Sequence, residues 1–162
     1  MSFGYKPPTE WIPPDSFPTE KLCQAKEIAI DLETRDPHLK ELGPGYSRGD
    51  GEVVGISFAV EGYEHYFPFG HETGFNFPKK KVIDFTKKVC ATNSDKVFHN
   101  ATYDVGCLTK EGVPVKGRIF DKMVVAPLID ENQYWYALNA LGREYVNEGK
   151  TEADWNQAAE EW

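Results

Sequence analysis

The run EIAIDL at residues 27–32 is a short apolar stretch suited to a buried central strand, and it ends on an acid with a second acid at Glu33. The stretch from Thr34 to Asp50, with Pro37, Gly43, Pro44, Gly45 and Gly49, reads as a long loop, so the strand is expected to end at the acidic pair. VVGISFAV (53–60) and EHYFPF (64–69) are β-rich and are separated by Glu61, Gly62 and Tyr63, a spacing that predicts a hairpin and thus three antiparallel strands. Pro78 opens an amphipathic helix in which Val82, Ile83, Phe85 and Val89 share one face while Lys79, Lys80, Lys87 and Lys88 stay wet. Further along, Lys96 to Phe98 reads as a strand, Asn100 to Gly112 as a helix and Arg118 to Phe120 as a strand. A helix is predicted from Asp121 to Ile129, its end blurred by Pro127, and another from Tyr136 to Val146. The order predicts an α/β layered domain whose mixed sheet has three antiparallel strands followed by parallel ones, with flanking helices.

A chain of 162 residues with 40% hydrophobic and 14% aromatic residues can bury one ordinary core. Pro7, Pro8, Pro13, Pro14 and Pro18 favour extended backbone, so residues 1–22 are expected to form an arm outside the core, with the domain occupying 23–162. Cys23, Cys90 and Cys107 show neither zinc-site pairing nor disulfide density and read as free thiols in a reducing compartment. His38, His65, His71 and His99 are scattered without ligand spacing. No run is long and apolar enough to span a bilayer and no signal peptide is evident, so a cytoplasmic location is expected. The net charge of −8 excludes a broad phosphate-binding surface, and any nucleic-acid contact must be local or aided by metal ions. Lys79 to Lys81 read as a solvated helix face, and the tryptophans, among them Trp11, Trp135, Trp155 and Trp162, as core and edge residues.

Asp31 and Glu33 flank Leu32, and the period of a strand projects both from one face. Like charges so close repel unless a cation holds them, and hard divalent ions prefer carboxylate oxygens; the alternative is a strand that ends in solvent. Asn100 and Asp104 stand one helical turn apart in HNATYD. Asn100 could equally be a helix N-cap, and Asp104 an acid that complements the helix dipole.

Together, AIDLET and FHNATYDVGCL resemble the first two motifs of the DEDD 3′-to-5′ exonucleases, whose domain has the ribonuclease H-like fold. The resemblance is nearest to the proofreading domains of phage-type family A DNA polymerases. It is carried by DLETRDPHLKELGPG, DGEVVGISFAVEG, HNATYDVGCL and YALNALGREYVNEGKTEADWNQAAEEW in that order, covering residues 11–162. It implies that Asp31 bridges two Mg²⁺ or Mn²⁺ ions, that Glu33 helps hold one and receives the 3′-terminal nucleotide, and that Asp104 serves the second. Thr34 and Asn100 would position substrate or site groups. Two such ions can activate a water and stabilise the leaving 3′ oxygen of single-stranded DNA.

The family's third motif, a Tyr or His four residues before an Asp, has no convincing copy here. Glu33 to Asp104 is 71 positions, and 58 residues follow Asp104, so the C-terminal part of the fold is expected to be missing. Glu152, Asp154, Glu160 and Glu161 read as a solvated helix face rather than ligands. The expectations are weak or absent activity for this chain alone, and an uncovered sheet face that self-associates or meets a downstream polymerase segment. A non-catalytic protein- or nucleic-acid-binding module on the same scaffold is the alternative, and an exoribonuclease a third reading.

Overall fold

Ile28, Ile30 and Leu32 alternate with Ala29, Asp31 and Glu33, which turns one edge of the strand into the core and the acids away from it. In the computed structural model, which describes residues 11–147, a short helix α1 (Thr19–Gln24) leads into this strand, β1 (Glu27–Arg35). β1 runs past the acidic pair, where the sequence predicts its end, because Thr34 and Arg35 go on pairing with Val53 and Glu52. A β-bulge between Glu33 and Thr34 absorbs the extra residue Val54 and bends the strand there. The loop that follows is correspondingly shorter than expected and holds two single-turn helices, α2 (Leu39–Leu42) and α3 (Gly45–Arg48).

Strands β2 (Glu52–Val60) and β3 (Tyr63–Pro68) form the expected hairpin around Glu61 and Gly62, and the φ of +68° at Gly62 favours glycine there. The chain then alternates α4 (Lys79–Cys90), β4 (Asp95–Phe98), α5 (Ala101–Lys110), β5 (Ile119–Asp121), α6 (Lys122–Ile129) and α7 (Leu138–Tyr145). The five-stranded sheet has the order β3-β2-β1-β4-β5, antiparallel among its first three members and parallel across β1-β4-β5. The mixed sheet and flanking helices match the expected class. β1 is the strand at which the direction changes; β4 pairs with it only as far as Ala29 and Val97, so β4 ends beside the middle of β1, just before Asp31, the kind of position where open α/β sheets build sites.

Under α4 the inner face of the sheet carries Ile28, Ile30, Ile56, Phe58 and Phe67, packed on Val82, Phe85 and Val89. Leu22 of α1 is fully buried, and the ring of Phe17 stacks on Phe67 with centroids 5.4 Å apart. A boundary after residue 22 therefore falls inside α1, and residues 17–22 pack onto the domain.

Lys96, read from the sequence only as part of a strand, is fully buried. Its ammonium donates to the carbonyls of Thr92 at 2.9 Å, Ser94 at 2.9 Å and Lys116 at 3.0 Å, and to the Thr92 hydroxyl at 3.1 Å. These bonds tie the turn before β4 to the turn before β5, and burial pulls the pKa of the lysine below its ordinary value.

Candidate active site

The acids of the site come from the middle and second half of β1, the head of α5 and the end of β5. Asp31 and Glu33 lie exposed on the outer face of β1, cross-strand from Ser57 and Gly55. Asn100 and Asp104 lie at the start of α5, immediately after β4, while Asp121 closes β5. Asp31, Ser57, Tyr66, His99, Lys122 and Leu138 line one open cavity of about 390 Å³ on the outer face of the sheet, floored by the small side chains of Ala29 and Ala59.

Asp104 is 5% exposed. Burial pushes its carboxyl up to about 7, the charges of Asp31 and Asp121 push the same way, and a hydrogen bond with the Leu32 backbone opposes them. The link to Leu32 pins α5 to β1, and the coupling to Asp31 places these two acids within electrostatic reach of each other.

Asn100 stands at the N-cap position with φ of +74°, a conformation rare outside glycine, yet its side chain makes no capping bond. The cap is supplied from another element. The Asp121 carboxylate accepts the N–H groups of Asn100 at 2.9 Å and Ala101 at 2.8 Å, and also that of Met123 at 2.9 Å in the first turn of α6. One side chain thus fixes two helix N-termini. Sequence reasoning missed Asp121 because its partners lie 21 residues upstream; the acid at the predicted start of a helix was the available signal.

A second polar cluster holds the loop beside the site. Asp36 accepts the Gly45 N–H at 2.6 Å and the Tyr103 hydroxyl at 3.1 Å and pairs with Arg48 at 3.3 Å. The Gly45 bond, with help from Tyr103 and Arg48, holds the Asp36 carboxyl below its ordinary range. The Thr34 hydroxyl lies 2.9 Å from that of Tyr103, so its polar group is engaged with α5. Tyr46 packs edge-on against Tyr103, in space that a side chain at Gly106 would fill.

The donor set of Asp31, Glu33 and Asp104 is all oxygen, which suits Mg²⁺ or Mn²⁺, and the mutual repulsion of Asp31 and Asp104 is what a divalent cation relieves. Among the described residues, no three His, Cys, Asp or Glu side chains form a ready-made metal cage. Glu33 faces Tyr66 instead, whose phenol feels its charge. Residues 152–161, which include the remaining acids considered from sequence, lie outside the described residues, as do Trp155 and Trp162.

A mixed sheet in this order, with flanking helices, is the ribonuclease H-like architecture. Residues 18–162 match the 3′-5′ exonuclease family of family A DNA polymerases, and the chain belongs to that family. It is 36% identical over 150 residues to the DNA-directed DNA polymerase of Pseudomonas phage M6, aligning 90% of this chain with 23% of that protein. It is 31% identical over 84 residues to DNA polymerase I of Chloroflexus aurantiacus, aligning 51% of this chain with 9% of that one. The chain therefore spans less than a quarter of the length of either polymerase. Similar solved folds include Brucella melitensis NrnC with bound Mg²⁺, at TM-score 0.58 and 16% identity, covering 85% of this chain and 62% of that one. The Aedes aegypti Nibbler EXO domain matches at TM-score 0.58 and 13% identity, covering 85% and 66%. At these identities the two structures speak to the fold alone.

Proposed function

We propose that this domain removes the 3′-terminal nucleotide of single-stranded DNA by metal-dependent hydrolysis, as the proofreading module of a DNA polymerase. The observation that carries the reading is the buried carboxyl of Asp104 facing the charge of Asp31 in the middle of the central strand. Asp31, Glu33 and Asp104 would hold Mg²⁺ or Mn²⁺. Bound there, the metal supplies an activated water and stabilises the departing 3′ oxygen. Asn100, exposed and held by Asp121, would contact the nucleotide, and Thr34 would do so through its backbone because Tyr103 engages its hydroxyl. The cytoplasm of a phage-infected bacterium is the setting that the phage relative suggests; no helix among the described residues is long and apolar enough to cross a membrane.

A non-catalytic binding module is the second reading, favoured by the lack of a ready-made cage among the described residues and by apolar side chains left exposed on β5 and α6. Under either reading, a downstream polymerase segment or a second copy of the chain would cover that surface. Calorimetric titration of Mn²⁺ into the wild type and Asp31→Ala, with single-stranded DNA digestion on the same samples, separates the readings. The expected outcome is binding lost in the variant and weak digestion by the wild type. Absence of Mn²⁺ binding in both would favour the non-catalytic module.

A further inference from the structure

The sheet position opposite Glu33 is Gly55, and a side chain there would occupy the place of the Tyr66 hydroxyl, 1.9 Å from the would-be Cβ. The phenol therefore lies flat along β2 and ends over the backbone that pairs with Glu33. Cross-strand neighbours have Cβ positions about 5 Å apart, so the hydroxyl stands about that far from the Glu33 Cβ, within reach of its carboxylate. The charge of Glu33 acts on this phenol, so the two groups lie within electrostatic reach of each other.

The same hydroxyl is hydrogen-bonded to His71 Nε2. His71 is itself fixed, since its backbone N–H donates to Asn76 Oδ1 at 2.9 Å and its carbonyl accepts from Asn76 Nδ2 at 2.9 Å. The ring of Trp11 meets Tyr66 edge-on at 6.4 Å from the other side. Tyr66 also lines the cavity that Asp31 lines. Among the described residues the Glu33 carboxylate makes no hydrogen bond or ion pair, so this side chain enters the site unanchored while a preset donor waits beside it.

We propose that Tyr66, braced by His71, is a positioning residue for Glu33: its hydroxyl donates to one carboxylate oxygen and leaves the other for the divalent cation. His71 in the tautomer with hydrogen on Nε2 donates to the phenol oxygen and frees the phenol hydrogen for Glu33. The inference rests on the metal-site reading above. Hydrogen-bond partners of metal ligands typically contribute 10–100-fold in affinity.

The test is Mn²⁺ titration calorimetry on the wild type, Asp31→Ala, Tyr66→Phe, His71→Ala and the double variant, with thermal melting in EDTA on each. Tyr66→Phe keeps the ring over Gly55, so melting is expected to hold while Mn²⁺ affinity falls about tenfold. His71→Ala should weaken binding less, and the double variant should match Tyr66→Phe because both act through one hydroxyl. Wild-type affinity in Tyr66→Phe, with binding still lost in Asp31→Ala, would overturn this inference and spare the metal-site reading. Additive losses in the double variant would also overturn it, and absence of Mn²⁺ binding in the wild type would overturn both.

Discussion

On the β2-β3 side of β1, the rings of Phe58, Phe67 and Phe85 lie 5.2–6.1 Å from one another, closed over by Phe17 and α4. On the β4-β5 side, Ile119, Phe120, Val124 and Ile129 remain exposed, and Leu128 is 82% exposed. Both flanks are apolar in sequence, but only one has its partner surface among the described residues. The difference teaches that the acids draw on unequal support. Asp31 and Glu33 ride on the closed flank, whereas Asp104 and Asn100 depend on α5 and on the hold of Asp121 at the seam.

The contrast can be broken most forcefully at Phe67. Phe67→Ala removes a fully buried ring with five aromatic neighbours and should lower stability by about 3–5 kcal/mol in urea unfolding. A loss below about 1 kcal/mol would mean that the closed flank does not carry the fold.

At the seam, Asp104 gives a pH signature. Its carboxyl is raised to about 7 in the folded chain against an ordinary unfolded value near 4, so the folded state binds the extra proton between those limits. That contribution to stability is fully present below about pH 4 and is lost as pH rises through about 7. In EDTA, Asp104→Asn should therefore melt above the wild type at pH 8, by roughly 2–4 kcal/mol, with the gap closing toward pH 4. Added Mn²⁺ should narrow or reverse the order. A pH-independent difference would remove Asp104 from the buried site.

The smallest effect belongs to the open flank. Leu128→Ser should change folding stability by no more than about 0.5 kcal/mol, because the side chain already faces water. Light scattering should nevertheless show less self-association than the wild type if this surface joins copies; identical scattering would leave a separate polypeptide as its cover.

The sequence carried β1, the hairpin, α4 and the placing of the acids, because each is written in a local period: two for Ile28, Ile30 and Leu32, one helical turn for Asn100 and Asp104. Its reading of the first strand stopped short at the acids because the pairing of Thr34 with Val53 depends on a bulge, which single-strand patterning does not encode. Asp121 and the Tyr66–His71 pair were hidden for another reason. Their roles arise only when elements distant in sequence meet, and nothing in the residues beside them announces the partner.

Lys96 gives the sheet a counterpart to its acidic end. At the acidic end lies the proposed metal site, which would take an exchangeable ion from solution, whereas at the opposite end a shell of carbonyl and hydroxyl oxygens surrounds a positive charge tethered by its own side chain. That internal cation cannot be chelated, diluted or exchanged. Stripping divalent ions should therefore loosen one pole of the domain and leave the other latched, so a chelator-treated sample would keep slow amide exchange around residues 92–96 while the head of α5 speeds up.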